Sequence, residues 1–250
     1  MFDFAAYGET IKNNLETQDD SILIQEIDNF IVMMVSDGNG SSPGMINIGS
    51  LANSILFDYL KSIMYNATIT SLVNQIGFGM VMVQKCFLSI NAIDEKYKNI
   101  YATQSVVIID KQSLDACFAS LGNCEIQLWR NHQFTRMNTL QSVAYEKLMK
   151  GEIVESDFYN CADRGVLTSA YGVYPDIKPF IQKGKLIAND ILLLTTDGIY
   201  AAMNPNDVVD LMSQGDTPQG AVKKILEATN LKGAFDNAGM ICCFIMENNQ

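Results

Sequence analysis

Residues 30–40, FIVMMVSDGNG, decide the fold, because an apolar run there ends in an Asp-Gly pair. Six consecutive apolar residues predict a short strand that is buried on both faces. Residues 190–198, DILLLTTDG, repeat the pattern, so Asp37 and Asp197 each follow a buried strand. A buried strand fixes the residue at its end, and the glycine is expected to let the backbone turn sharply there. Either pair alone is also typical of an ordinary turn. Together they predict two carboxylates that converge if the strands are neighbours.

The composition favours one globular domain over residues 1–250. The chain is 48% apolar and 18% charged, which is enough to bury one sizeable core, and it shows no internal repeat or flexible linker. Its formal net charge is −11 and its pI is about 4.5. Such a surface repels phosphate backbones, so we expect no nucleic-acid partner.

The sequence also predicts a cytoplasmic protein. The first ten residues, MFDFAAYGET, are acidic and lack the long apolar region of an export signal. The most apolar runs, such as residues 30–35 and 191–194, are too short to span a bilayer, so no membrane partner is expected. The six cysteines lie mostly in apolar runs and form no CxxC pair, which is typical of buried, reduced thiols.

Apolar spacing along the chain predicts strands, then helices, then strands again. The predicted strands are residues 21–27 and 30–36, joined by a turn at Asp28-Asn29, then 105–110, 114–120, 125–130, 190–196 and 239–246. The predicted helices are residues 47–72, about 72–90 with an interruption near Gly77 and Gly79, 205–213 and 218–229. Residues 132–185 are polar and irregular. This order favours an α+β sandwich over alternating βαβ units.

Two more acidic positions complete a recognisable series of motifs. Asp236 precedes the last predicted strand, and the doublet Asp19-Asp20 precedes the first. In order and spacing the chain resembles the metal-dependent serine/threonine protein phosphatase 2C (PPM) family. The matching segments are TQDDS (17–21), DGNG (37–40), GVLTSAYG (165–172), LLLTTDGIY (192–200) and FDNAGMICCF (235–244).

The resemblance implies both a fold and a metal centre. The fold would be a four-layer α-β-β-α sandwich, with two antiparallel sheets flanked by helices. The centre would hold two Mn²⁺ or Mg²⁺ ions and activate a water for attack on phosphorus. Its expected ligands are the catalytic aspartates Asp37, Asp197 and Asp236, the carbonyl of Gly38, and Asp19 acting through water. Asp20 is an alternative to Asp19, because the register there is uncertain by one residue.

Three departures from the family pattern affect accessory groups. The arginine that would grip substrate phosphate is missing near Asn14, and Lys12 is the nearest cation, without the bidentate fork of an arginine. The Gly-Asp-Ser-Arg motif reads Gly122-Asn123-Cys124-Glu125, so a third ion site is expected to be weakened at Asn123. Asn39 excludes a histidine general acid from that loop.

The leading functional prediction is hydrolysis of phosphoserine and phosphothreonine in proteins, such as the targets of a Ser/Thr kinase, by a monomer. An alternative is a degenerate phosphatase fold that binds or regulates partners with little turnover, and a third is a phosphatase of small phosphoesters. Residues 140–170 are expected to form a variable flap that contacts substrate.

Two apparent motifs have simpler explanations. Cys124 and Arg130 have the C-x5-R spacing of cysteine-dependent phosphatases, but EIQLW between them alternates like a strand and has no glycine. Cys124 is therefore expected in the core of a hairpin. His132, the single histidine, is expected in a surface turn and has no partner for a triad or a zinc site.

Overall fold

The computed structural model describes residues 2–93, 95–233 and 235–247, which contain two five-stranded sheets. Sheet A consists, in spatial order, of β1 (Phe2–Ile11), β10 (Ala238–Glu247), β9 (Ile191–Thr195), β6 (Glu125–Arg130) and β7 (Gln133–Arg136). Sheet B consists of β2 (Ser21–Ile27), β3 (Phe30–Asn39), β4 (Tyr101–Asp110), β5 (Asp115–Leu121) and β8 (Phe180–Lys185). All neighbouring strands are antiparallel.

Helices cover the outer face of each sheet. Sheet B carries α1 (Ile48–Ile63) and α2 (Ile69–Ile93), and sheet A carries α5 (Gly198–Ala202), α6 (Pro205–Ser213) and α7 (Pro218–Leu231). Two short helices, α3 (Val143–Met149) and α4 (Glu155–Phe158), and 3-10 turns at Glu95–Tyr97 and Ala162–Gly165 complete the elements. The predicted four-layer α-β-β-α sandwich is confirmed.

Side-chain alternation along β3 builds two of the apolar layers. Its odd-numbered residues, Ile31, Met33 and Val35, pack between the sheets, and its even-numbered residues, Phe30, Val32 and Met34, pack under α1 and α2. Neighbouring strand β4 alternates in the same way, with Val107 and Ile109 between the sheets. The predicted strand buried on both faces is confirmed.

Helix α1 ends earlier than predicted, and helix α2 is continuous where an interruption was predicted. The predicted helix 47–72 stops at Ile63, because Asn66 has a positive φ of 53° and Thr68 with Ser71 begins the next helix through reciprocal side-chain bonds. The predicted interruption of the second helix is wrong, since α2 runs for 25 residues. A Cβ on Gly79 would lie 2.4 Å from a ring carbon of Tyr59, so this glycine lets α1 and α2 pack closely.

Helix α2 also corrects the estimate that every apolar run is too short to span a bilayer. It has 25 residues, a mean hydropathy of 1.5 over an 18-residue window, and 33% of that window buried. Its buried face packs against α1, β5 and β8, as core helices of soluble proteins do. Length and composition alone do not distinguish the two settings, so the absence of a membrane partner stays a prediction.

Two parts of the chain are more regular than the sequence indicates. Strand β1 was not predicted, since its partner β10 lies more than 220 residues away and its own residues are half-buried without a clear alternation. The segment 132–185 contains β7, α3, α4 and β8 instead of irregular chain. The extent of one domain over residues 1–250 stays a prediction, because positions 1, 94, 234 and 248–250 lie outside the described residues.

A buried ion pair fixes the segment that carries α3 and α4 to sheet A. Arg136 Nε donates to Glu125 Oε2 at 3.1 Å, with 12% and 2% of the two side chains exposed. The Arg136 guanidinium lies 4.9 Å from the ring centroid of Phe158 in α4, and it also donates to the Tyr159 hydroxyl at 2.6 Å. Tyr159 in turn donates to Glu125 Oε2 at 3.1 Å. One cation therefore holds strand and flap together.

Replacing Arg136 by Met should lower the free energy of unfolding by about 3–5 kcal/mol, because the buried Glu125 is left without its partner. Burial already raises the pKa of Glu125 against the opposing charge of Arg136. A carboxyl whose pKa is raised by folding loses stability as pH rises, so the loss should be larger at about pH 8 than at about pH 5. Urea unfolding at both pH values measures it.

Glu155→Gln is the matched control, because Glu155 binds the same guanidinium at 3.1 Å but has 63% of its side chain exposed. Its cost should stay below about 1 kcal/mol. Equal losses for the two variants would contradict a buried clamp.

Candidate metal centre

The candidate site lies where the two sheets separate, at the end of β3. Asp37 is an odd-numbered residue of β3, so its side chain belongs to the face that looks toward sheet A. It pairs with Thr103 across the ladder, and Thr103 Oγ1 lies 3.1 Å from Cys124 Sγ, just before β6. Asp37 therefore projects into the gap between the sheets where the apolar layer ends.

Asp20 is the acidic side chain that meets Asp37. Its Oδ2 accepts a hydrogen bond from Thr196 Oγ1 at 2.6 Å, just after β9, and its carboxyl is close enough to Asp37 to share a hydrogen bond. Asp20 is only 3% exposed. It thus joins sheet B to sheet A at the site, and the structure brings Asp20, the alternative residue of the acidic doublet, to Asp37.

Asp19 has hydrogen-bond partners outside the carboxylate cluster, and its expected role as a ligand through water stays a prediction. Its Oδ2 accepts from Ser41 Oγ at 2.6 Å, and its Oδ1 accepts from the Ile48 backbone N–H at 3.3 Å. Its own N–H donates to Asn237 Oδ1 at 2.8 Å. With both carboxylate oxygens committed to the loop after β3 and the start of α1, Asp19 braces these segments.

Asp197 and Asp236 complete the cluster from sheet A. Asn123 Nδ2 donates to Asp197 Oδ2 at 2.8 Å, and the Asn237 N–H donates to Asp236 Oδ1 at 2.9 Å. The other amide atom, Asn123 Oδ1, is buried and has no hydrogen-bond partner among the described residues. Asn123 therefore orients Asp197 and keeps a free oxygen acceptor beside it.

The glycine after each aspartate is required by close packing, and the expected sharp turn is wrong for Gly38. Strand β3 continues through Gly38 to Asn39, and neither Gly38 nor Gly198 has a positive φ. A Cβ on Gly38 would lie 2.5 Å from the Gly49 nitrogen, and one on Gly198 would lie 1.9 Å from the Asn237 carbonyl oxygen. The glycines allow the backbone segments that carry the carboxylates to touch.

Burial is the main cause, and like charge a further cause, of raised pKa values in three of the four carboxylates. Burial first, and then the charges of Asp197, Asp20 and Asp236, raise the pKa of Asp37 well above its usual range. Burial, together with Asp197 and Asp236, raises the pKa of Asp20 against the Thr196 hydrogen bond. Burial and Asp197 raise the pKa of Asp236 to about 6. Bringing these groups together therefore costs free energy that a bound cation would offset.

A half-buried arginine, which the sequence did not single out, supplies positive charge at this site. Arg164, in the 3-10 turn of the flap, donates from Nη2 to the Asp197 carbonyl at 3.1 Å, and its charge lowers the pKa of Asp236. Lys12 is exposed, and its ammonium lies 3.5 Å from the Glu16 carbonyl oxygen. The DRG sequence at residues 163–165 has no distinctive local signal, because only folding of the flap brings Arg164 to the carboxylates.

The donor atoms fit a hard divalent cation. Carboxylate and amide oxygens are the ligands that Mg²⁺ and Mn²⁺ prefer, and the raised pKa values of Asp20, Asp37 and Asp236 indicate negative charge that lacks compensation. Within the described ranges, no three His, Cys, Asp or Glu side chains already stand in an arrangement that could hold a metal ion.

The two apparent motifs are structural, as predicted. Burial raises the pKa of the Cys124 thiol well above its usual range, and Arg130 forms a two-point ion pair with Asp190 at 2.6 and 2.7 Å. His132 is exposed in the hairpin turn between β6 and β7, where Asn131 and His132 have positive φ values of 52° and 61°. Neither residue takes part in the carboxylate cluster.

Comparison with known proteins identifies the fold. No protein-family model matches the chain. It is similar to protein phosphatase PhpP of Streptococcus pneumoniae, with 23% identity over 145 residues, and the match spans only 58% of the length of each chain. It is also similar to serine/threonine phosphatase stp of Listeria monocytogenes, with 20% identity over 227 residues that cover 88% of this chain and 86% of the relative.

Solved structures agree over nearly the whole chain. The PPM Ser-Thr phosphatase MsPP from Mycobacterium smegmatis has a TM-score of 0.77 at 22% identity, covering 96% of this chain and 97% of that one. The catalytic domain of phosphatase PstP, solved with two manganese ions, has a TM-score of 0.81 at 12% identity, covering 99% and 100%. The resemblance to the PPM family of serine/threonine phosphatases is therefore confirmed.

In the presence of EDTA, Asp37→Asn should raise the melting temperature, by roughly 2–4 °C for each kcal/mol of repulsion removed. A carboxyl whose pKa is raised by folding loses stability as pH rises, so the gain should be larger at about pH 7.5 than at about pH 5. Mn²⁺ should then raise the melting temperature of the parent chain and have little effect on the variant. Scanning calorimetry with and without Mn²⁺ measures both effects.

Asp207→Asn is the control, because Asp207 is a surface aspartate whose pKa is lowered by a hydrogen bond from Lys232. It should show no gain in EDTA and the full response to Mn²⁺. A response of Asp37→Asn to Mn²⁺ as large as that of the parent would exclude Asp37 from the metal centre.

Proposed function

We propose that this chain hydrolyses phosphoserine and phosphothreonine in proteins with the help of two Mn²⁺ or Mg²⁺ ions. The observation that carries the proposal is the meeting of four carboxylates, from four separate segments, at the open end of the gap between the sheets. Likeness to phosphatases over nearly the whole fold supports it, and so does the structure of the PstP catalytic domain in complex with two manganese ions.

The proposed ligands follow from the positions of the side chains. Asp37, which interacts with all three other carboxylates, would contact both ions, with the Gly38 carbonyl as a further oxygen ligand. Asp197 and Asp236 would serve one ion, and Asp20 takes the position first assigned to Asp19. When bound, such ions lower the pKa of a water and withdraw charge from phosphoryl oxygens.

Neutral residues around the carboxylates hold them in place. Thr196 fixes Asp20 and Asn123 fixes Asp197, each through one hydrogen bond. The unpartnered Oδ1 of Asn123 offers a third ion one neutral oxygen where an aspartate would offer a charge, so that site would be weak. This supports an enzyme that works with two ions.

Arg164 is the better candidate for gripping the substrate phosphate. It is half-buried, and one nitrogen is anchored on the Asp197 carbonyl, which leaves further N–H groups for phosphate oxygens. Lys12 is exposed and turned to Glu16. The missing arginine near Asn14 is thus compensated by a cation from the flap.

The competing proposal is a binding or regulatory protein with little turnover, which would explain Asn123 and the missing arginine. Arg164 weakens that case, because it restores a cation to the site. We further infer that the substrates are phosphorylated proteins, such as kinase targets, that the chain acts as a monomer, and that it works in the cytoplasm.

Hydrolysis of a phosphothreonine peptide and of p-nitrophenyl phosphate should depend on Mn²⁺ or Mg²⁺ and should be lost in EDTA. Asp37→Asn should lower kcat/KM by about 100-fold or more, because a metal centre supplies several kcal/mol of transition-state stabilisation. The colorimetric release of phosphate measures it. If calorimetry detects metal binding but neither substrate is hydrolysed, the binding protein is favoured instead. Hydrolysis of the peptide, with or without hydrolysis of p-nitrophenyl phosphate, contradicts the binding protein.

Arg164→Met should raise KM for the peptide by about 10-fold or more, since a hydrogen bond between charged groups contributes about 1.5–3 kcal/mol. Arg164→Lys should recover part of this loss as a point charge. Lys12→Met is the matched control and should change KM less than about twofold, as expected for an exposed surface cation. If Lys12→Met had the larger effect, the original assignment to Lys12 would stand. Steady-state kinetics at saturating Mn²⁺ measures all three variants.

A further inference from the structure

Tyr101 is a residue at the carboxylate cluster to which neither the metal centre nor the phosphate grip assigns a role. It is the first residue of β4 and pairs with Asn39, two positions along the ladder from the Asp37–Thr103 pair. Side chains two residues apart on a strand share a face, so Tyr101 and Asp37 both look into the gap between the sheets. The alternation of Val107 and Ile109 on β4 leads to the same face.

The surroundings of the Tyr101 ring point to the reacting centre. The ring is half-buried, and burial together with the charges of Asp37, Asp197 and Asp236 raises the pKa of its hydroxyl. Three of the four carboxylates are thus within electrostatic reach of one phenol. In the part of the chain that the structure describes, the hydroxyl has no hydrogen-bond partner, so its proton is free for a ligand.

Departure of a serine or threonine oxygen from phosphorus leaves an alkoxide, which needs a proton. His132 lies in a hairpin turn, and arginine side chains do not release a proton near neutral pH. Asn39 has no acidic proton to give. A phenol that stays protonated at the edge of the site is a suitable donor.

We propose that Tyr101 is the general acid that protonates the leaving oxygen of the phosphorylated serine or threonine. The step rests on the proposed function. A bond forms between the attacking water oxygen and phosphorus, the bond from phosphorus to the side-chain oxygen breaks with its electron pair, and the phenolic proton moves to that oxygen. The proton lost by the attacking water returns through solvent to the phenolate, which restores Tyr101.

Leaving-group dependence separates this role from simple positioning. The p-nitrophenolate ion leaves without protonation, whereas an alkoxide does not, so a missing acid slows only the second class of substrate. A hydroxyl that merely orients the phosphate would affect both substrates alike, since the phosphate is common to them.

The test is Tyr101→Phe, measured with Mn²⁺ on a phosphothreonine peptide and on p-nitrophenyl phosphate. The value of kcat/KM for the peptide should fall by about 100-fold or more, while that for p-nitrophenyl phosphate should change less than about threefold. Across aryl phosphates with increasingly poor leaving groups, the rate of the variant should fall more steeply than that of the parent. Retained hydrolysis of p-nitrophenyl phosphate also shows that the variant is folded.

Tyr65→Phe, at a position that is 80% exposed after α1, is the matched control and should match the parent on every substrate. Equal losses on both substrates for Tyr101→Phe, or no loss, overturn the acid role and leave the proposed function intact. A parent chain that hydrolyses neither substrate overturns the proposed function, and the role of Tyr101 falls with it.

Discussion

The burial of four carboxylates close together at the end of the gap between the sheets is the constraint on which the site depends. Asp20, Asp37, Asp197 and Asp236 come from four separate segments, and burial raises the pKa of Asp20, Asp37 and Asp236, so that their charged forms would be less costly in solvent. Three apolar layers hold the carboxylates together by supplying rigidity and free energy. One layer lies between the two sheets, and the other two lie between each sheet and the helices that cover it. The carboxylates thus lower the stability of the fold locally and form a site that favours positive charge.

Rigid support explains why the fold surrounding the site was readable from the sequence. Buried strands such as β3 and β9 have uninterrupted apolar runs, and α6 and α7 begin with clear proline and capping signals. Strand β1 has no such signal, because its stability comes from pairing with β10 at the other end of the chain. The predicted interruption of α2 at its glycines was wrong, because the packing of Gly79 against α1 outweighs the low helix propensity of glycine.

The site itself was predictable only where backbone geometry fixes it. Asp37 lies near the end of β3 and Asp197 comes two residues after β9, so the strands set their positions. In the doublet Asp19-Asp20 one residue must turn toward the carboxylates and the other toward the loop, and that choice depends on Ser41 and Thr196, which are remote in sequence. Arg164 and Tyr101 could not be found from spacing at all, because the flap and the β3–β4 ladder bring them in.

Charged side chains connect the flap, residues 140–170, to the carboxylate cluster. Arg164 donates a hydrogen bond to the Asp197 carbonyl, and its charge also favours the ionised form of Glu125, opposing the burial that raises the pKa of that residue. Glu125 forms an ion pair with Arg136. Glu125 is the last residue of the segment 122–125, where the Gly-Asp-Ser-Arg motif would have an arginine. This position therefore carries an anion, and the cation that pairs with it, Arg136, comes from β7. Because Arg164 is carried by a short 3-10 turn, its place depends on how firmly the flap is held to sheet A. Residues outside the carboxylate cluster therefore set where the positive charge of the site lies.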